Sequence, residues 1–281
     1  MEHMPDQCPA NWHLDIIMPT LDTDVTSLKA KIASLEASLR SLRFPYSVMV
    51  VIQSKDGFHI DFGKTSIRPL ITTYISVSNA RNMGLERARG DYILFLDDDV
   101  TLDQSFVEFM NECLGRQEVF AGRLSWNRWL RRGGYRHYTS VVCMNIFAVV
   151  ISRPLIERIG LRFDTSLGLG EDVQYRSGED VLFLYSLFAR SGNRRLLFNP
   201  RAIVFHKERD LIREKQKIIE YALGQGRTWR RMLAVEPRFM NRTFLFLLFL
   251  MTLLMNAVRV VREPDVRLPV VINRIKGFVN G

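Results

Sequence analysis

The stretch that decides the fold is "SNARNMGLERARGDYILFLDDDV", residues 78–100. Its first part predicts a helix over 78–90, closed by Gly90. "DYILFL" (91–96) then predicts a buried strand, and Asp97, Asp98 and Asp99 stand at its end. In open α/β sheets ligands bind at the carboxyl ends of strands. Three adjacent carboxylates cannot share an apolar core. A hard divalent cation relieves their repulsion, and a phosphate-bearing substrate completes its shell. The plainer account is a strand-end turn in which one Asp caps the next helix. Upstream, Ser78, Arg81 and Asn82 begin the helix, where an anion or a polar base can be held. Taken alone, ordinary capping is the preferred account of them.

Toward the N-terminus, "WHLDIIMPT" (12–20) predicts a buried strand ending at Pro19. Val25, Leu28, Ile32, Leu35, Leu39 and Leu42 follow at steps of three and four, one apolar stripe on a helix. Asp22, Thr23 and Asp24 are its candidate N-caps. "YSVMVVIQ" (46–53) predicts the second strand. Strand, helix, strand opens a parallel α/β sheet. Downstream, "TLDQSFVEFMNECL" predicts a helix, "VFAGRLSW" and "VVCMNIFAVVIS" strands, and "RPLIERIG" a short helix. A helix over 181–191 and a strand ending "NPRAIVFH" complete the pattern.

The chain's 281 residues carry a net charge of +9. From Lys207 onward there are 15 Lys and Arg against 7 Asp and Glu, so the basic excess belongs to the C-terminal segment. That segment holds "TFLFLLFLMTLLMNAV" (243–258), between Arg238 and Arg242 on one side and Arg259 and Arg262 on the other. A basic surface around an apolar run predicts an anionic membrane rather than nucleic acid. The run is short for a clean span, so an in-plane or re-entrant helix is expected; a buried core helix is the alternative. Cys8, Cys113 and Cys143 match no metal-ligand spacing and fit a reducing compartment. "MEHMPDQCPANW" lacks the apolar core of a signal peptide, so the chain is expected to begin in the cytoplasm.

"SNARNMGLERARGDYILFLDDDV", with "FDTSLGLGEDVQYRSGEDVLFLYSLFARSG" and "NPRAIVFH" after it, resembles the family 2 glycosyltransferases over residues 12 to 210. The tail "YALGQGRTWRRML…INRIKGF" is similar to membrane-associated members that build surface polysaccharides. The resemblance implies a GT-A fold, a Rossmann-like and mainly parallel sheet flanked by helices. It implies a catalytic domain over 1–220 and a basic, apolar, membrane-associating helical segment over 221–281. The implied reaction is inverting transfer of a sugar from a nucleotide-sugar, UDP-linked by expectation, to a hydroxyl of a glycan or lipid-linked acceptor. The implied place is the cytoplasmic face of the inner membrane, with no nucleic-acid partner. By position, Asp99 takes Mg²⁺ or Mn²⁺, Asp98 shares the metal or meets ribose, and His206 reaches the metal or the diphosphate. Pro19, Thr20, Ser78, Arg81, Asn82 and Asp97 lie on the nucleotide side. Where the family keeps base-reading aspartates, this chain has Gln53 and Ser54. Gln53 offers uracil both a donor and an acceptor.

Gly-Glu-Asp occurs twice, at 170–172 and 178–180. A general base must be held by a rigid element. Ser177 as N-cap with Asp180 at N3 would place the second pair at the start of a buried helix, as in a capping box. Asp180 is therefore the expected base, with Glu179 beside it. Glu171 and Asp172 lie in a glycine-flanked loop. A sugar nucleotidyltransferase shares the metal carboxylates, but it needs a glycine-rich phosphate loop after the first strand, and "MPTLDTD" has no glycine. A non-catalytic membrane-binding relative is the other alternative.

Overall fold

A computed structural model describes residues 12–125, 133–137, 144–192, 195–206 and 211–280. The chain divides into two compact units. The first comprises residues up to Ile75, Ala80–Gly160 and Arg195–Lys207; the second comprises Ser76–Asn79, Leu161–Arg194 and Glu208–Gly281.

The first unit contains a mixed sheet. Its parallel half is built from β1 (Leu14–Thr20), β2 (Tyr46–Gln53), β3 (Ile67–Thr72) and β4 (Tyr92–Phe95), in the order β3-β2-β1-β4. Beyond β4 the order continues β8 (Val149–Ser152), β6 (Val119–Leu124), β9 (Arg195–His206) and β5 (Val100–Leu102), and β7 (Gly134–His137) pairs with β9. Strand β8 is antiparallel to both β4 and β6. Every residue of β1 is buried, as is every residue of β4; β4 reads as an unbroken apolar run, and β1 as one interrupted by Asp15. The helices α1 (Val25–Ser38) and α2 (Val77–Arg87) cover opposite faces of β1. A Cβ on Gly84 of α2 would lie 2.4 Å from Ile17, whereas the next residue, Met18, faces Lys31 and Leu35 of α1. On α3 (Gln104–Cys113), Phe106 packs where a Cβ on Gly122 would lie 2.6 Å from its ring. A short α4 (Arg153–Arg158) follows β8.

Several local expectations are corrected. β1 runs through Pro19 to Thr20, because its pairing with β4 stops at Ile17 and no ladder bond is needed from the proline nitrogen. Gly90 is not the cap of α2, which ends at Arg87. It permits a close approach instead: a Cβ there would lie 2.8 Å from the His13 carbonyl oxygen. The buried Asp15 carboxylate accepts from the Arg89 and Gly90 amides, both at 2.6 Å. Strand β3 has no counterpart among the sequence expectations; Pro69 lies in it, and as the sheet's edge it tolerates the missing donor. Among the described residues of "VVCMNIFAVVIS", Val149–Ser152 form a strand, after a 3₁₀ turn at Ile146–Ala148. Residues 141–143, Trp126, Cys8 and the N-terminal segment before Trp12 lie outside the described residues.

The second unit is helical. Helix α5 (Glu179–Ser191) is buried continuously from Leu182 to Ala189, and Phe183 stacks on Phe163 at 4.0 Å. Helices α6 (Leu211–Val235), α7 (Phe239–Val260) and α8 (Pro264–Val279) follow. α6 and α8 pack through glycines: a Cβ on Gly226 would meet the Arg274 carbonyl at 2.1 Å, and one on Gly277 the Leu223 carbonyl at 2.0 Å. The expected boundary at 220 falls inside α6, one continuous helix, and this unit also takes in residues 161–194. Helix α7 has 22 residues, longer than the 16-residue apolar run, because Phe239 to Arg242 and Arg259 to Val260 extend it.

Candidate active site

In the first unit, the carboxyl ends of adjacent parallel strands bring together Thr20 from β1, Gln53 from β2 and the aspartates after β4. Pro19 is buried in β1, and Gln53 is buried at the last position of β2, beside Thr72 of β3. Arg81 is buried on α2, and its Nη2 donates to Asp97 Oδ1 at 2.8 Å. Asn82 is half-buried on the next position of the same helix.

Each aspartate has a different neighbour. Asp98 Oδ2 accepts from Thr20 Oγ1 at 2.6 Å and from Lys31 Nζ at 2.7 Å. Lys31 also donates to Asp22 Oδ2 at 2.8 Å, so one cation ties the β1–α1 loop to the triplet. That contact, helped by the Ser27 hydroxyl, lowers the Asp22 carboxyl to about 2. Burial works against the Lys31 charge, but the two carboxylates prevail and its ammonium is held above the usual range. Asp24 is the N-cap of α1, accepting from the Ser27 amide at 2.9 Å. Asp99 is the most exposed of the three, and its Oδ1 lies 3.3 Å from His206 Nε2.

The strand register explains this last pairing. β5 and β9 are antiparallel with Val100 opposite His206, so the residue before Val100 meets the last residue of β9. Ligand atoms of Asp97, Asp99 and His206 all lie within 4.8 Å of one another. Two carboxylates and an imidazole suit a divalent ion that accepts both oxygen and nitrogen, Mn²⁺ more than Mg²⁺. The set differs from the sequence expectation in one member. Asp97 joins Asp99 and His206, while Asp98, expected to share the metal, is engaged by Lys31 and Thr20. A cavity of about 350 Å³ opens beside them, lined by Lys31, Asp98, Asp99, His206 and the exposed ring of Phe205.

Lys31 was not singled out in the sequence. Lys29 and Lys31 look alike there, and only the phase of α1 over the sheet decides which reaches the triplet. Asp22, read only as a possible cap, turns out to be its second carboxylate.

In the second unit, Ser78 is fully buried and its hydroxyl donates to the Leu167 carbonyl at 2.7 Å. It fastens the 161–170 loop, which takes the hydroxyl's one donated hydrogen bond. The Val77 amide donates to the Leu169 carbonyl at 2.9 Å and reinforces the same attachment. Gly168, at φ +98°, sits where a Cβ would lie 3.0 Å from both the Glu179 carboxyl carbon and Ser78 Oγ. Glu179 thus reaches back toward the start of α2.

The expected capping box does not form. Gly178 is the N-cap of α5, in the left-handed region at φ +94°, and Glu179 and Asp180 occupy the first turn. Ser177 Oγ donates instead to the Tyr221 carbonyl at 2.8 Å. Only glycine fits at 178: a Cβ there would stand 1.8 Å from Thr228 Oγ1. Glu179 and Asp180 are half-buried at the helix's positive end, whereas Glu171 and Asp172 are exposed.

Residues 73–136 match the family model described as Glycosyl transferase family 2. No curated protein matches the chain. Among solved structures, S. aureus TarS residues 1–349 superposes with a TM-score of 0.55 at 14% identity, covering 95% of this chain and 90% of that one. Its complexes with UDP and with UDP-GlcNAc give TM-scores of 0.51 and 0.50 at 15% identity, each covering 83% of this chain and 72% of the other. The fold is the GT-A fold of that protein.

Proposed function

We propose that this chain, whose residues 73–136 match the family 2 glycosyltransferase model, transfers a sugar, with inversion, from a UDP-linked donor to a hydroxyl of a glycan or lipid-linked acceptor. The acceptor belongs to surface-polysaccharide synthesis at the cytoplasmic face of the membrane. The observation that carries this reading is the meeting of Asp97, Asp99 and His206 at the carboxyl end of β4. Crystallised complexes of TarS with UDP and UDP-GlcNAc, on the same fold, support the choice of donor.

Asp97, Asp99 and His206 would hold Mn²⁺ or Mg²⁺, which when bound offsets the charge of the departing diphosphate. Arg81 fixes Asp97. Thr20 and Lys31 hold Asp98 through one oxygen, and the other would accept from a ribose hydroxyl. Gln53 pairs with the base through its amide. The acceptor oxygen attacks the anomeric carbon in line. Its bond to that carbon forms as the carbon–oxygen bond to UDP breaks, and the hydroxyl proton passes to Asp180. Glu179, whose carboxyl lies beside Gly168, stands next to that base.

The decisive experiment measures UDP release from a panel of UDP-sugars, with and without EDTA, and with Mn²⁺ restored. Metal-dependent release from at least one donor is expected. Absence of release from every donor, with or without Mn²⁺, would refute the reading.

A further inference from the structure

We propose that α7 does not cross the bilayer but lies in the plane of one leaflet, as an anionic-lipid foot shared with α6 and α8. This deepens the membrane-side acceptor of the proposed function and rests on that reading for its purpose alone. By length and composition α7 could cross: it is 22 residues long, and its apolar stretch is mostly exposed. Phe244, Leu247, Leu250, Met251, Leu254 and Val258 all face outward. Only Leu245, Phe249 and Asn256 are buried, a narrow stripe.

What that stripe packs against decides the matter. Helix α8 runs back along α7: Phe278 stacks on Phe249 at 4.5 Å, and Arg267 Nη1 donates to Asn256 Oδ1 at 3.4 Å near the other end. Trp229 of α6 packs at 6.0 Å from Phe249. A crossing α7 would therefore draw α8 into hydrocarbon, with Arg267, Asn273, Arg274 and Lys276. It would also bring Arg227, Arg230 and Arg231 of α6 close behind. Charges at that depth are costly, and these are spent on local partners such as Gln225, which Arg274 reaches from Nε at 2.9 Å. With α7 in plane, only its outer face enters the acyl boundary and the charged helices stay above it.

The occupant follows from charge. Exposed Arg242 stands at one end of α7, and exposed Arg259 and Arg262 at the other, around an apolar face without acids. Anionic headgroups match the arginines and acyl chains match the face.

The test uses the full chain and extruded phosphatidylcholine vesicles, with or without phosphatidylglycerol, read by flotation. Binding at least ~10-fold stronger to the anionic vesicles, and weakened by salt, is expected. The Leu247→Asp/Leu254→Asp pair should abolish flotation while thermal unfolding stays unchanged. In separate variants, Phe239→Cys and Val261→Cys should both react with an impermeant maleimide added outside the vesicles, as read by mass mapping of the labelled peptides. Protection of either end until detergent is added would mean a span and overturn the proposal. Equal binding to neutral vesicles would also overturn it, as would a dimer in solution that the aspartate pair dissolves, which would assign the face to a second copy. UDP release is measured without lipid, so failure here leaves the transferase reading untouched, and the reverse holds too.

Discussion

Each unit has an acidic region, and the two are organised differently. In the first, each carboxylate of Asp97-Asp98-Asp99 is met by a basic side chain from elsewhere in the chain: Arg81, Lys31 and His206 respectively. In the second, Glu179 and Asp180 are placed by backbone, at a helix start opened by a left-handed glycine. Charges held by counter-charges make a prearranged pole for a charged ligand. A carboxylate aimed by a helix start, half-buried and at the positive end, is suited to receiving a proton in a fixed place. The copy at Glu171-Asp172 has the same three residues, but it is exposed and does not open a helix.

The largest expected effect separates those two copies. Asp180→Asn should lower transfer by about 10³-fold while leaving UDP binding intact, and Asp172→Asn should change it less than about 2-fold. Steady-state transfer and UDP titration check both. Loss of transfer in Asp172→Asn alone would reverse the assignment. Next comes the turn itself. Gly178→Ala combines a positive φ with a clash at Thr228 Oγ1, so it should destabilise the protein by about 2–4 kcal/mol in urea unfolding. An Ala variant of wild-type stability would mean that the backbone does not aim α5 in the way described.

How much of this was legible in the sequence depends on the range of the contact. Three of the four parallel strands were readable because β1, β2 and β4 are buried almost throughout and mostly apolar, whereas the edge strand β3 is only partly buried and holds Pro69. The acidic triplet was readable as adjacent letters. The partners of its members were not. Asp98 meets Lys31 across 67 positions, and Asp99 meets His206 only through the register of β5 on β9. Ser177 shows the same limit in reverse. Its local pattern is a good cap, but Thr228 and Tyr221, more than forty positions on, demand a glycine turn and take the hydroxyl. Local chemistry proposes; long-range packing chooses among the proposals.

A smaller effect tests the first region. Lys31→Met leaves Asp98 with Thr20 alone and Asp22 without its cation. Donor KM should rise about 5- to 10-fold with kcat nearly unchanged, and stability should fall by about 1 kcal/mol. If kcat fell and KM held, Lys31 would act on the reacting atoms rather than on the donor pole.

The smallest effect isolates Asp22, where the pH dependence has a definite sign. Its carboxyl is lowered to about 2 chiefly by the Lys31 hydrogen bond, against 3.8 in an unfolded chain. A depressed carboxyl binds its proton more readily once unfolded. Its contribution is therefore complete above about pH 4 and disappears as pH falls through about 2. Lys31, held above its usual value, keeps its charge throughout that window. Wild type should exceed Asp22→Asn by up to about 1 kcal/mol at neutral pH, since the pair is partly open to solvent. Urea unfolding at stepped pH should show that gap constant from pH 7 to 5 and closing between 4 and 2. A gap that opened on acidification would mean the Asp22 carboxyl is raised, not lowered, and that Lys31 serves Asp98 alone.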